Sequence, residues 1–197
     1  YFLDIGKALY NATDGETEGL EEWIKIANAK KSGFDESYCE SKYMNFDIEE
    51  ITVKTLAWYA KEDMKEEYFM WHDRWCRPKL MEAVKNIKHD CVVAEAFYRV
   101  FWLEFMHTGK RWVEFRRSKL VVLSEDFAIR RAISEKFIPC FNKLNSQISE
   151  EMYKLSKIMR KNQAVKDRHK EFETNSKSIN DLITKLNKEM YRSTLVK

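Results

Sequence analysis

Apolar positions in the first sixty residues recur at helical spacing. Phe2-Leu3, Ile5-Gly6 and Leu9-Tyr10 mark the core face of an opening helix, and Asn11 to Thr17 is a polar turn. Leu20, Trp23, Ile24 and Ala27 predict a second amphipathic helix. Lys30-Lys31-Ser32-Gly33 should end it, with Gly after a basic last turn. Asp35 is placed to cap a third helix holding Tyr38, Cys39, Tyr43 and Met44. Phe46 to Thr52 reads as a linker, and Thr52 caps a fourth helix with Leu56, Ala57, Tyr59 and Ala60. A charged, aromatic helix or pair of helices runs from Glu62 to Trp75, and Pro78 suits the first turn of the next one.

From His89 to Ile148 the period changes twice. Val92-Val93, Ala96-Phe97, Val100-Phe101 and Phe105 predict one long helix face from Asp90. Gly109 interrupts it. Arg111 to Phe115 then alternates, and Leu120 to Leu123 answers after Arg116-Arg117-Ser118-Lys119, so two strands with a basic turn are expected at about 111–123. A helix opening at Ser124-Glu125-Asp126 should reach about Lys161, with a kink at Pro139. Met152 to Arg192 is helical and charged, with apolar stripes Leu155, Ile158, Met159 and Ile179, Leu182, Ile183, Leu186. The predicted fold is mainly α: helical modules with one small β-hairpin between long helices. The change of module is expected between Trp75 and Asp90, giving 1–76 and 77–197.

Composition supports a real core. The chain has 197 residues, 14% of them aromatic, and only five Gly and two Pro, which favours helix over tight loops. Net charge is +3, but residues 1–90 hold 13 Lys/Arg against 19 Asp/Glu, while residues 91–197 hold 22 against 13. An acidic half joined to a basic half implies modules with different partners; a drift in solvated helix charge is the plainer reading. Four scattered Cys fit reduced thiols inside a cell. The natural start is expected upstream of Tyr1, no signal peptide is visible, and the most apolar stretch, Cys91 to Met106, is broken by Glu95, Arg99 and Glu104, so no membrane span is expected.

The catalytic motifs sought are missing. Gly109-Lys110 lacks the rest of a phosphate loop, and no Gly-x-Ser-x-Gly or His-Glu-x-x-His occurs. Asp47-x-Glu49 is the nearest approach to a two-metal carboxylate pair, but it lies in an acidic linker without a strand before it. His72, Cys76, His89 and Cys91 have zinc-type side chains. Trp71, Trp75 and Val92 beside them favour a buried Cys with a hydrogen-bonded His instead, and no metal ligand is assigned. A stand-alone metal-dependent nuclease would have to rest on these residues. Trp58, Tyr59, Tyr68, Phe69, Trp71 and Trp75 could stack bases, but Glu62, Glu66 and Glu67 would repel phosphate, which favours core packing. Two basic runs suit a phosphate backbone. One is Lys110, Arg111, Arg116, Arg117 and Lys119, interleaved with Trp112 and Phe115 and followed by Arg130 and Arg131. The other is Lys154, Lys157, Arg160, Lys161, Lys166, Arg168 and Lys170, with little local acid. An ordinary solvated face remains the alternative for both.

Residues 1–46 resemble the helical module that follows the catalytic core in viral and phage primases. The pattern is Phe2-Leu3-Asp4-Ile5-Gly6-Lys7-Ala8-Leu9, Gly19-Leu20 with Trp23, and Phe34-Asp35-Glu36 with Cys39 and Tyr43. A connector, Ile51 to Ala60, follows. Residues from about His89 to Ser149 resemble the domain before the superfamily 3 helicase in primase–helicases of large nucleocytoplasmic DNA viruses, the poxvirus and asfarvirus type. There the matching features are Val93-Ala94-Glu95, Trp112-Val113-Glu114-Phe115, and Ile129-Arg130-Arg131 with Ile133-Ser134. Leu120 stands where that family often has an aromatic residue. The resemblance implies a non-catalytic middle segment that links primase to an NTP-driven helicase ring, supports hexamer assembly and guides single-stranded or forked DNA. It implies ATP and Mg for the parent protein but no cofactor here, flanking primase and helicase domains as partners, and a cytoplasmic viral replication site in the host cell. A purely protein-interaction module without DNA affinity is the competing expectation.

Overall fold

The structure, a computed structural model, describes residues 2–29, 35–47, 51–109, 111–116, 119–123, 127–158 and 163–188, with the backbone only at 116, 119 and 120. The fold is mainly α with one small antiparallel sheet. The chain divides into two compact units, 1–71 and 72–197, and the division falls inside one helix.

The first unit holds α1 (Phe2–Ala12), α2 (Thr17–Ala29), α3 (Glu36–Tyr43) and α4 (Val53–Asp63). Asp35 caps α3 by accepting from the Tyr38 N–H at 2.8 Å, and Thr52 caps α4 in a reciprocal box with Thr55. The stop expected at 30–33 lies outside the described residues. Trp23 is fully buried, stacked on Phe2 with ring centroids 5.1 Å apart, and its Nε1–H donates to the Phe2 carbonyl at 3.2 Å. Two glycines let this core close. A Cβ at Gly6 would come within 2.5 Å of the Trp23 ring, and one at Gly19 within 2.1 Å of Tyr43 Oη. Leu3, expected in the core, faces solvent, because the buried stripe of α1 runs through Ile5, Gly6 and Ala8. Asn11 donates to the Ile51 carbonyl at 2.6 Å and Tyr59 Oη to Asp4 at 2.9 Å, so α4 is tied back to α1.

α5 (Lys65–Lys85) contains the unit boundary at Trp71/His72. It also contains Pro78, which therefore stands inside a helix rather than at the start of a new one. The lost backbone bond costs about 3 kcal/mol, but Cys76, Leu80, Ala83 and Val84 all bury from one stripe of α5 and hold it helical through the proline. α6 (Asp90–Val100) stops sooner than its apolar pattern predicts. Phe101 leaves helical geometry, and Phe105–His107 forms β1, so Phe105 reaches the core from a strand. The sheet thus has three strands, β1, β2 (Trp112–Arg116) and β3 (Lys119–Val122), in that order and antiparallel. Gly109 takes a φ of +83° in the β1–β2 turn, which favours glycine.

α7 (Phe127–Ala132) passes through a π turn, Ile133–Phe137, into α8 (Ile138–Ile158), and residues 124–126 of the expected start lie outside the described residues. The Ile138 N–H bonds the Ile133 carbonyl, five residues back. This widened turn comes just before Pro139, whose ring needs room and which has no N–H to give. The helix continues across Pro139. α9 (Gln163–Leu186) packs on α8 and buries Ile179, Leu182 and Leu186. Of the other expected stripe, Met159 lies outside the described residues and Ile158 is exposed, since α8 has passed beyond the core there. Phe137 is the hub, with ring centroids 5.3 Å from Phe97, 6.2 Å from Phe101 and 5.0 Å from Phe141.

Candidate nucleic-acid interface

The candidate basic positions that are described sit on or beside the sheet, on α7 and at the far end of α8. β2 pairs with β3 so that Arg116 faces Lys119 at the close of the ladder, with Val113 opposite Val122 nearer the core. Positions 117 and 118, including Arg117, lie outside the described residues, as does Lys110. Val113 is buried and Trp112 packs edge-on against Phe97 at 6.2 Å, which anchors β2 to the core. Phe115 is exposed.

The sheet separates what the sequence places in one run. Arg111 is exposed beside the β1–β2 turn, where Thr108 Oγ1 donates to the Arg111 carbonyl at 3.1 Å. Arg116 is at the opposite end of β2. Five strand residues put these two backbones about 17 Å apart. Arg116 and Lys119 are brought together, and Arg111 belongs to the other rim.

Arg130 and Arg131 lie on α7. Arg131 pairs with Glu135 at 2.9 Å, while Arg130 is half-buried. Lys154 pairs with Glu151 at 2.8 Å, and Lys157 sits over the exposed Tyr153 ring at 4.2 Å. Glu151 therefore gives the second basic run local acid that its spacing conceals. Arg160 and Lys161 lie outside the described residues. Such exposed pairs are worth under about 1 kcal/mol, so a phosphate can compete for the cation.

The His/Cys set divides. Cys76 Sγ lies 3.4 Å from His72 Nε2 and 3.6 Å from the Arg99 carbonyl, while His89 and Cys91 are exposed at the start of α6. Among the described residues no three metal-binding side chains gather. Asp47 is exposed and Glu49 lies outside the described residues. Burial, aided by the nearby Cys140, pushes the Cys76 thiol up to about 12. Its stabilising contribution is complete below the ordinary thiol pKa of about 8.5 and is lost as pH climbs from there towards 12. Alkylation of the folded chain at mildly alkaline pH should therefore mark Cys91 well before Cys76; equal rates, read by mass spectrometry, would contradict the burial.

The aromatic run expected in the core is only partly there. Tyr68 is buried, and Trp75 packs on Trp102 at 5.4 Å under the Arg99 guanidinium, 4.1 Å away. Phe69, Met70 and Trp71 are exposed. The acids interleaved with them were the signal for that surface. Among the described residues no helix is long and apolar enough to cross a membrane.

No curated protein matches the chain. The family described as Primase C terminal 2 (PriCT-2) matches residues 1–60, the span occupied by α1 to α4 up to Ala60. That part of the chain is a primase-associated region.

Proposed function

We propose that the chain is the non-catalytic middle of a viral replicative primase–helicase of the poxvirus/asfarvirus type. In this reading it joins the primase to an NTP-driven helicase ring and guides single-stranded or forked DNA. The observation that carries it is the primase C-terminal match over α1–α4, followed in the chain by a basic unit. The first unit places the primase. In the second, the end of the β2–β3 ladder, with Arg116 and Lys119, receives the phosphate backbone, together with Arg117, which lies between them in the sequence. Arg111 on the opposite rim, Arg130 and Arg131 on α7, and Lys154 and Lys157 towards the end of α8 extend the path, and Lys110, Arg160 and Lys161 are assigned to it from the sequence alone. ATP and Mg act in the flanking helicase domain, not here, and the cytoplasmic replication site of the host cell is the setting.

Fluorescence anisotropy with single-stranded and forked DNA across a salt series tests this. Each phosphate contact to a single strand contributes a log–log slope of about −0.7. Arg116→Glu with Arg117→Glu and Lys119→Glu should flatten the slope by about two contacts' worth and weaken binding about a hundredfold. A folded triple variant that binds DNA as well as the parent sinks the assignment of those residues.

A second reading, assembly between copies, is favoured by the opposite charges of the two halves. In that reading the basic faces meet acidic surfaces of neighbouring subunits in a hexamer.

A further inference from the structure

β3 is the outermost strand of the sheet on one side, and among the described residues no strand pairs with its far edge. The Leu123 N–H donates to the Trp112 carbonyl at 2.9 Å, and Val113 lies opposite Val122. Antiparallel strands alternate bonded and non-bonded pairs, so positions 119, 121 and 123 turn their backbone groups to β2. Positions 120 and 122 turn theirs outward. The opposite edge of the sheet differs: on β1 the Phe105 N–H is taken by the Phe101 carbonyl at 2.9 Å.

The open edge is also apolar. Val121 and Val122 are 38% and 55% exposed, and Phe115, on the face that Val122 shares, is exposed as well. Branched side chains of this kind suit a paired strand. Charge commonly guards a free edge, but the one charged position of β3, Lys119, stands at its start and leaves the two valines unguarded.

We infer that β3 pairs with β3 of a second copy, antiparallel, across a two-fold axis at Val121. The outward backbone groups fix this register. Centring the pair on position 121 sets position 120 of each copy opposite position 122 of the other, and each such pair exchanges two backbone hydrogen bonds. Val121 then meets its own counterpart in a non-bonded pair, where side chains approach most closely. Charge selects the same direction. By sequence order alone, Arg117 and Lys119 lie at one end of the segment, and Glu125 and Asp126 lie at the other. Antiparallel pairing sets unlike ends together, and parallel pairing would set like ends together. The contact uses the same patch on both copies, so it closes at the dimer and removes the free edge. It goes beyond both readings above, since it needs neither DNA nor the charge difference between the two halves.

Sedimentation equilibrium of the whole chain without DNA, over a concentration series, tests it. The parent should show a reversible monomer–dimer equilibrium. Val122→Pro removes an outward N–H, and an edge strand accepts proline at such a position. Val121→Lys sets two like charges against each other at the axis. Each should weaken dimerisation about tenfold or more, with folding checked by far-UV circular dichroism. Cross-linking reads the register, in a Cys91→Ser background that lacks the exposed native thiol. Glutathione disulfide serves as oxidant: two protein thiols become one disulfide as it is reduced to two glutathiones. Val121→Cys should yield a covalent dimer, because the Cα atoms of a non-bonded pair lie about 4.5 Å apart. Val122→Cys should cross-link far more slowly, because position 120 stands opposite it. A parent that stays monomeric, folded Val122→Pro and Val121→Lys chains that dimerise like the parent, or Val121→Cys that cross-links no faster than Val122→Cys each overturns the inference.

Discussion

Replacing Phe137 by Ala should destabilise the second unit by about 3–5 kcal/mol, the usual cost of deleting a fully buried phenyl ring. Phe137 has no exposed surface and touches rings from three parts of the chain: Phe97 on α6, Phe101 just after it, and Phe141 on α8. Its position also closes the π turn, so the surrounding backbone is poorly placed to collapse into the void. Phe137→Leu fills much of the volume and should cost less than half as much. Urea unfolding followed by hydrogen exchange with peptide-level mass spectrometry localises the loss. Protection should fall in α6, α8 and α9 and stay unchanged in α1 to α3. A loss of less than about 1 kcal/mol would show that Phe137 is not the hub of this core.

Gly19→Ala should have the next largest effect, and it should fall on the other unit. The added Cβ would lie 2.1 Å from Tyr43 Oη, 2.5 Å from Thr13 Oγ1 and 3.0 Å from the Leu9 carbonyl. Tyr43 Oη donates to the Glu16 carbonyl at 3.1 Å and lies 3.1 Å from Thr13 Oγ1, so moving it breaks the link from α3 to the α1–α2 turn. Overpacking of this kind costs about 1–3 kcal/mol, and each lost hydrogen bond about 1 kcal/mol more. Tyr43→Phe removes the atom struck first. In a double-mutant cycle it should therefore recover part of the loss in the Gly19→Ala background while being destabilising alone. A chain with Gly19→Ala as stable as its parent would refute the packing described. The two positions lie in different compact units, and each variant should shift its own unfolding transition rather than a shared midpoint.

The sequence by itself determined whatever a few neighbouring residues decide. Asp35 and Thr52 cap α3 and α4 because a side-chain oxygen needs only the next turn's N–H to bond. Trp23 and the stripe Ile179, Leu182, Leu186 are buried because helical spacing alone gathers them on one face. β2 and β3 follow from alternation on both sides of a basic turn. The mainly α class, the pairing of His72 with Cys76 four residues on, and the acidic-to-basic change along the chain were legible in the same way.

Tertiary structure decided what depends on distant partners. Pro78 stays inside α5 because its flanking side chains are buried against other elements, an energy that local propensity does not contain. Phe105 moves from helix to strand because β2 offers it a ladder, while either geometry buries the ring. The basic run divides between two rims of the sheet because the extended β2 carries Arg111 and Arg116 to opposite ends, while the antiparallel return brings Lys119 back beside Arg116. Phe69, Met70 and Trp71 reach solvent although their type predicts a core, and Phe69 does so on the same helical stripe as the buried Cys76, Leu80 and Ala83. Periodicity identifies which residues share a face; only the packed fold selects which face is covered.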